Sequence, residues 1–414
     1  MPVEQAPSYW VRELPPAQRA QLADGIDENS SPAEAKEWWD SLGYDERQDV
    51  LENQPELVAQ VDGVPAEIRD QANRDMLAKE TEQIDQEIEQ LSAELASMED
   101  SDMSIYNHGT DQNIDIPNPE AQDLYEQIVA LENRKENLNT LTGRLEGGPQ
   151  NSVEGEYFLL GFDSQDDGKA IVSVGNPDTA DNVNVYVPGT SSDVSTDTFD
   201  TLMDRTEKMA ADADRYAPDE STASIMWLDY DAPDEVTNAM SASYAEDATA
   251  DLSGFFDGLR ATSEGDPANV TATGHSYGTT VVGTAAKEEG LDVDNMIMVA
   301  SPGTGVDNAS ELGIDPDNVW STRNDEDIIG LAGGGVLNEI PTDDFRLSIL
   351  QGLVGDEMIH GTDPTTDGFG GQTFESSAPG ETRTDNHSTY WDDGNPARFN
   401  MAMIMTGQSD EVSG

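Results

Sequence analysis

The sequence has 414 residues, of which 85 are acidic, 20 are basic and none is cysteine, so its formal net charge is −65. Without cysteine, disulfides, thiolate metal sites and a cysteine nucleophile are excluded. A chain this acidic repels nucleic acid and anionic membranes, so neither is expected as a partner. Because the acidic residues are scattered along the chain, we interpret the charge as an adaptation to high salt rather than as a surface for a cationic partner.

The sequence contains no run that approaches about 18 consecutive apolar residues, so no membrane-spanning helix is expected. Its N-terminus, MPVEQAPSYWVRELPPAQRA, lacks the basic and then apolar pattern of a signal peptide. These features predict a protein that is cytoplasmic or exported by a non-classical route, in a high-salt environment.

Residues 1–150 have the pattern of a helical region. Two short helices are predicted first: SPAEAKEWWDSLG begins with a Ser-Pro start signal and ends at Gly43, and DERQDVLENQPEL is closed by a proline. A long helix is then predicted from about residue 66 to 98. Its apolar residues are spaced by four and three, which is typical of a seam that faces a partner helix. They are Ile84, Ile88, Leu91, Leu95 and Met98.

A segment rich in Asp, Asn and Pro, EDSDMSIYNHGTDQNIDIPNPE, follows and is predicted to be a loop. A second helix is predicted from about residue 120 to 145, with a stripe formed by Leu124, Ile128, Leu131, Leu138 and Leu145. Two such stripes around one loop predict an antiparallel, coiled-coil-like hairpin. We interpret the hairpin as a packing module. The alternatives are a lid or arm, or a contact surface for a protein partner or a second copy.

From about residue 151 to 414, short apolar runs alternate with helical patterns. The predicted strands are YFLLGF, AIVSVG, VNVYVPG, SIMWLDY, NVTATG, NMIMVAS and NVWSTR. The predicted helices run from about 196 to 211, 235 to 262, 277 to 289 and 396 to 405. This alternation predicts an α/β domain whose mainly parallel sheet is covered by helices on both faces.

The segment NVTATGHSYGTTVVGTAAKEEG places Gly-x-Ser-x-Gly between a predicted strand and a predicted helix. The five-residue motif is unspecific by itself, but this context is that of a nucleophile elbow. There the serine lies in a strained turn, and glycines at 274 and 278 remove side chains that would collide with the strand and the helix. We therefore predict that Ser276 is a nucleophile.

A serine hydroxyl needs a base, and the chain has four histidines. His108 lies in the segment between the two long helices, and the side chain of His275 is the wrong group to reach Ser276 within the turn. His387 is preferred because the base usually follows the last strand, and a terminal helix comes directly after this residue. His360 is the alternative.

The acid that orients the histidine is expected after the strand NVWSTR, where Asp325 and Asp327 are both candidates. For the oxyanion, the backbone N–H of Tyr277 lies at a predicted helix N-terminus, where negative charge is favoured. A second donor is expected from the loop VPGTSSDVSTD, either the N–H of Thr190 or that of Ser191.

Several longer segments carry a resemblance to a known family. They are YFLLGFDSQDDGKAIVSVGNPDTADNVNVYVPGT, TGHSYGTTVVGTAA, VASPGTGVDNASELGI, HGTDPTTDGFGGQTFE and HSTYWDDGNPARFNMAMIMTG. Together, within residues 155–407, they resemble the actinobacterial-type α/β hydrolases known as DUF1023, whose members often carry a helical N-terminal region. The resemblance implies an α/β-hydrolase fold with a Ser-Asp-His triad.

By position, the resemblance assigns the nucleophile to Ser276 and the base to His387. The loop NDEDIIG is similar to an Asp-Ile-Val-Pro loop of lipases, which favours Asp327 as the acid. VPGT is similar to the oxyanion loop of some lipases, which favours Thr190. The expected activity is the cleavage of a small-molecule or lipid-like carboxylic ester, without metal or organic cofactor. The alternatives are an amidase or thioesterase with the same triad, or an interaction protein whose hydrolase body is not catalytic.

Overall fold

The computed structural model describes residues 30–98, 103–107, 112–116, 119–150, 155–235, 238–332 and 357–414. Within them, the α-helices are α1 Pro32–Ser41, α2 Tyr44–Asn53, α3 Ala66–Met98, α4 Pro119–Gly147, α5 Thr196–Tyr216, α6 Ser243–Asp247, α7 Thr249–Thr262, α8 Tyr277–Glu288, α9 Arg383–Asn386 and α10 Pro396–Met405. The predicted helical N-terminal region and the predicted α/β body are both confirmed. His108 lies outside the described residues.

Within the described residues, the strands form one large sheet and two small hairpins. They are β1 Met103–Asn107, β2 Gln112–Ile116, β3 Tyr157–Asp163, β4 Lys169–Val174, β5 Asn182–Val187, β6 Thr222–Leu228, β7 Asn269–His275, β8 Asn295–Val299, β9 Val319–Thr322, β10 Glu357–Met358, β11 Gly361–Thr362 and β12 Gln372–Thr373. The large sheet has eight strands in the order β12-β9-β8-β7-β5-β6-β4-β3. Only β4 runs against its neighbours, so the sheet is mainly parallel, as predicted.

The central strands are buried on both faces, as parallel strands between two helical layers must be. All six residues of β5 and all five of β8 are buried. Side chains on β7 show where the two layers lie. A Cβ at Gly274 would meet the backbone of Thr279 in α8, whereas the ring of the next residue, His275, faces Arg205 in α5. Successive strand residues point to opposite faces, so α5 and α8 lie on opposite sides of the sheet.

The two long helices α3 and α4 form the predicted antiparallel hairpin. Arg134 of α4 pairs with Glu80 of α3 at 2.9 Å, and both side chains bond the hydroxyl of Ser164. At the other end of β3, Arg74 of α3 and Arg144 of α4 both bond Tyr157. The contacts rise from 74 to 80 in α3 and fall from 144 to 134 in α4, so the helices run in opposite directions. Ile84, which belongs to the predicted apolar seam, is buried. A role of the hairpin in binding a protein partner or a second copy stays a prediction.

Side chains of α3 cover the outer edge of the sheet along β3. Arg69 donates from Nη2 to the carbonyl oxygen of Leu160 at 2.7 Å, and Asn73 donates from Nδ2 to that of Leu159 at 3.0 Å. Asp70 accepts the Leu159 N–H at 2.7 Å. An edge strand has unpaired backbone groups that invite pairing with another chain, and these contacts occupy them.

The helical region and the sheet therefore share hydrogen bonds as well as apolar packing. The predicted division into a helical region, residues 1–150, and a hydrolase domain, residues 151–414, stays a prediction about folding units.

The loop predicted between the two long helices is wrong in part, because β1 and β2 form an antiparallel hairpin there. Ile105 pairs with Ile114 in its register. The alternation of apolar and polar residues in MSIYN and QNIDI favours strands. Our prediction gave more weight to the Asp, Asn and Pro content of the whole segment.

The single helix predicted from 235 to 262 is also wrong in its first half. The structure has a 3-10 turn at Asn238–Met240, then α6 and α7. The side chain of Tyr277 reaches into this segment: its hydroxyl donates to the carbonyl of Ser241 at 2.5 Å and accepts the N–H of Ala245 at 3.3 Å. In an α-helix the Ala245 N–H would bond the Ser241 carbonyl directly, whereas here the Tyr277 hydroxyl lies between them and the N–H donates to Ala242 at 3.0 Å. A distant side chain thus interrupts the pattern that local propensity favours.

Candidate active site

The bend between β7 and α8 holds Ser276 in a backbone conformation that few residues other than glycine adopt. Its φ is 54° and its ψ is −128°. A Cβ at Gly274 would lie 2.7 Å from the backbone of Thr279, and a Cβ at Gly278 would lie 2.1 Å from the carbonyl oxygen of Val187. Both glycines are therefore required for the strand and the helix to approach each other so closely.

The side chain of His387 lies directly beside the Ser276 hydroxyl. His387 follows the short helix α9, and its Nε2 atom is 2.9 Å from Ser276 Oγ. Its Nδ1 atom is 2.8 Å from Asp327 Oδ1, so the imidazole lies between a hydroxyl and a carboxylate. An acceptor at Nδ1 fixes the proton of the neutral ring on that nitrogen, which leaves the Nε2 lone pair to accept the serine hydroxyl.

The carboxylate of Asp327 is fully buried in the loop after β9. Besides the His387 Nδ1–H, its Oδ1 atom accepts the backbone N–H of Ile329 at 2.8 Å. Its Oδ2 atom accepts the hydroxyl of Tyr390 at 2.6 Å. Three donors compensate the burial of the charge and hold the carboxylate in one orientation.

Tyr390 is a member of the site that our reading of the sequence missed. Its hydroxyl donates to Asp327 and accepts the N–H of Asn324 at 3.1 Å, which ties together the loops that carry Asp327 and His387. Burial, together with the neighbouring Asp327 carboxylate, raises the pKa of Tyr390 well above its usual range, so the hydroxyl keeps its proton. The only sequence signal was the position of Tyr390 three residues after the histidine.

Two backbone N–H groups lie close to the Ser276 bend. The first belongs to Tyr277 at the N-terminus of α8, where the helix dipole favours negative charge. The second belongs to Thr190 in the loop after β5. A Cβ at its neighbour Gly189 would lie 2.7 Å from the Cβ of Ser276 and 3.0 Å from the Tyr277 nitrogen, so this loop passes against the bend. Among the described residues, neither N–H donates a hydrogen bond.

The three alternative residues are positioned differently. The N–H of Ser191 donates to the carbonyl of Pro233 at 2.8 Å, so it is already occupied. Asp325 is exposed, whereas Asp327 holds the histidine. The Nε2 atom of His360 lies 2.7 Å from the carbonyl oxygen of Ala239, and its ring packs edge-on against Tyr277. These contacts favour Thr190, Asp327 and His387, and the roles of all three stay a prediction.

Two features, a group of side chains for a metal ion and a helix that could cross a membrane, are absent from the described residues. In that part of the chain, no three His, Asp or Glu side chains are grouped so that they could hold a metal ion. No helix there has the length and the apolar character that crossing a bilayer requires.

Comparison with known sequences identifies the family. A family model described as alpha/beta hydrolase matches residues 163–332. An uncharacterised protein of Mycobacterium bovis is 32% identical over 206 residues, which cover 46% of this chain and 77% of that protein. The chain belongs to the α/β-hydrolase family, as its sequence motifs led us to expect.

A longer relative matches almost the whole chain. An uncharacterised protein of Mycobacterium tuberculosis strain H37Rv is 28% identical over 388 residues, which are 92% of this chain and 56% of that protein. The chain therefore spans little more than half the length of this relative.

The comparison with solved structures gives matches of low TM-score and low identity. A hormone-sensitive lipase from a metagenome library has a TM-score of 0.24 and 17% identity, over 44% of this chain and 57% of its own. Carboxyl esterase 2 of the fungus Tuber melanosporum has a TM-score of 0.31 and 11% identity, over 64% of this chain and 90% of its own.

Proposed function

We propose that this protein is a serine hydrolase that cleaves carboxylic esters through an acyl intermediate on Ser276. The observation that carries the proposal is the position of the His387 ring, 2.9 Å from the serine hydroxyl and 2.8 Å from the Asp327 carboxylate. In this arrangement one imidazole takes the hydroxyl proton while the carboxylate stabilises the cation that forms. Membership of the α/β-hydrolase family supports the same class of reaction.

In the acylation step, Ser276 Oγ attacks the carbonyl carbon of the ester and its proton passes to His387 Nε2. The negative charge that develops on the carbonyl oxygen is stabilised by the N–H groups of Tyr277 and Thr190. When the tetrahedral intermediate collapses, the bond between the carbonyl carbon and the alcohol oxygen breaks. The alcohol takes the proton from His387 and leaves an acyl-serine.

Deacylation repeats these steps with water as the nucleophile. His387 takes a proton from the water, the remaining hydroxide adds to the acyl carbon, and Ser276 Oγ leaves with the proton that His387 returns. One ester and one water thus become one acid and one alcohol, and the side chains named here suffice for every proton transfer. Asp327 keeps a proton on Nδ1 throughout, so every transferred proton passes through Nε2.

The test is the hydrolysis of p-nitrophenyl esters with short, medium and long acyl chains, at molar salt. We expect a Ser276-dependent burst of p-nitrophenol, and a loss of kcat on the order of 10⁴-fold or more in Ser276→Ala. Asp327→Asn should lose about 10⁴-fold, because its amide no longer fixes the productive tautomer.

Two matched controls separate the site from the rest of the chain. Ser253→Ala removes the hydroxyl of a serine on α7 that donates to the carbonyl of Gly290, and it should leave the burst unchanged. His387→Gln should abolish the burst, whereas His360→Gln should keep kcat within about fivefold. Equal silence of the wild type and Ser276→Ala on every chain length would overturn the proposal and favour an interaction protein.

The same groups would also cleave amides and thioesters, which were the alternatives from the sequence. A matched ester, thioester and anilide of one acyl chain would rank the three leaving groups. We expect the ester to have the highest kcat/KM, and a higher value for the thioester or the anilide would reassign the reaction.

A further inference from the structure

The histidine that precedes Ser276 does not contact the hydroxyl, but it holds the main chain of the proposed base. His275 is the last residue of β7, and its Nε2 atom lies 2.9 Å from the carbonyl oxygen of His387. A carbonyl only accepts, so Nε2 is the donor. The two rings lie 4.9 Å apart between centroids, and 111 residues separate Ser276 from His387 along the chain.

The ring of His275 is itself fixed by its neighbours. It is 5% exposed, and the edge of Trp391 packs against it with 5.0 Å between ring centroids. Its Nδ1 atom faces Nη1 of Arg205 at 3.5 Å. The Arg205 guanidinium is held in turn by the hydroxyl of Tyr186 at 3.1 Å and lies over the Trp391 ring at 4.6 Å. This cluster leaves the His275 ring one orientation.

The charge state of His275 agrees with this arrangement. Burial lowers the pKa of His275 well below its usual range, and the Arg205 cation lowers it further. The ring is therefore neutral at neutral pH. With Arg205 on the Nδ1 side and a carbonyl on the Nε2 side, the neutral ring carries its proton on Nε2.

We propose that His275 is a positioning residue for His387, which sets the distance between the base and the nucleophile. This inference rests on the proposed function of Ser276 and His387. His275 and Ser276 are adjacent in one strained bend, so the bend bonds both ends of His387: the hydroxyl meets the ring, and the His275 ring meets the carbonyl. The bend thereby sets the distance between Ser276 Oγ and His387 Nε2.

Two substitutions test the role of the donor. His275→Phe keeps an aromatic ring of similar shape but removes the Nε2–H. Because a displacement of about 1 Å in reacting groups costs about 100-fold, kcat should fall roughly 10-fold to 100-fold while KM stays within about twofold. His275→Gln carries an amide donor on a side chain of similar reach, and it should restore kcat to within about fivefold of the wild type.

A matched control removes a different buried hydrogen bond from the same strand. Thr273 lies two residues before His275 on the same face of β7, and its hydroxyl donates to Asn184 Oδ1 at 2.6 Å. Thr273→Val should lower thermal stability but keep kcat within about twofold. If Thr273→Val lost as much kcat as His275→Phe, a general loosening of β7 would explain both and the proposal would fall.

A second readout does not depend on turnover. The proton on His387 Nδ1, bonded to Asp327, should give a downfield proton NMR resonance that is sharp in the wild type and in His275→Gln but broadened or lost in His275→Phe. Wild-type kcat and an unchanged resonance in His275→Phe would overturn the positioning role. A wild type inactive on every ester would overturn the proposed function instead, and the resonance alone would then decide the role of His275.

Discussion

The backbone of Gly278 passes so close to the end of β5 that a single added carbon tests the geometry of the bend. A Cβ there would lie 2.1 Å from the carbonyl oxygen of Val187 and 2.6 Å from that of Pro188. We expect Gly278→Ala to lower the free energy of unfolding by about 3 kcal/mol and to abolish ester hydrolysis, because either β5 or α8 must shift.

The control for this substitution is Gly143, which is exposed in α4, where an added Cβ meets nothing within 4 Å. Gly143→Ala should raise the free energy of unfolding by about 0.5 to 1 kcal/mol, since alanine favours the helix. Urea unfolding measures both variants. Wild-type stability and activity in Gly278→Ala would show that the bend does not have this geometry.

At the residue scale, the sequence predicted which groups should meet but not what holds them. Ser276 was predicted as the nucleophile from its glycines, and His387 as the base from its place before the terminal helix. The bond from His275 to the His387 carbonyl joins residues 112 positions apart, and the bond from Tyr390 to Asp327 joins residues 63 apart. Neither bond leaves a periodic pattern in the sequence, because each depends on how two distant loops pack.

At the scale of elements, the contact between α3 and the edge of the sheet depends on a buried ion pair. Arg69 bonds the carbonyl of Leu160 and pairs with Asp62 at 2.9 Å, and both charged side chains are largely buried. Removing one partner of such a pair leaves an uncompensated buried charge. We expect Arg69→Met to lower the free energy of unfolding by about 3 to 5 kcal/mol in urea at neutral pH.

The loss should shrink as the pH falls. Burial raises the pKa of Asp62, although the Arg69 cation opposes that shift. Without Arg69 the pKa rises further, so the folded state binds a proton that the unfolded state releases, and stability falls as pH rises through the raised pKa. The double variant Asp62→Asn with Arg69→Met should recover part of the loss. Lys36→Gln, which breaks an exposed pair with Asp40, should change stability by less than about 1 kcal/mol. A pH-independent loss in Arg69→Met would contradict this account.

Elements with a strong apolar period were predicted well, and elements shaped by distant contacts were not. The α3 helix runs from Ala66 to Met98, the predicted range, because its seam repeats over many turns. The segment at 235–262 breaks because the Tyr277 hydroxyl takes backbone groups of Ser241 and Ala245. Local propensity carries no information about that side chain, which comes from the start of α8.

At the scale of the whole molecule, the net charge of −65 should make stability depend on salt. Crowded carboxylates repel one another, and only screening by ions reduces that cost. Asp167, Asp193 and Asp234, near the Thr190 loop, illustrate this repulsion. Burial, together with the nearby Asp234 and Asp193 carboxylates, raises the pKa of Asp167.

We therefore expect the thermal unfolding midpoint to fall sharply as salt is reduced below roughly molar concentration. Calorimetry in dilute buffer and in molar potassium chloride would measure this, with sucrose as a control that alters hydration without screening charge. Midpoints that are equal in dilute buffer and in molar salt would contradict the interpretation of the acidic surface as a salt adaptation.

Covalent labelling tests most directly whether His387 activates the hydroxyl of Ser276. The oxygen of an activated serine displaces fluoride from a fluorophosphonate and keeps the phosphonyl group, so mass spectrometry of the digested protein, labelled at molar salt, should find one adduct, on Ser276. The adduct should disappear in His387→Gln, whose serine is unchanged but lacks the base. An unlabelled wild type, or an adduct on a different residue, would contradict the account.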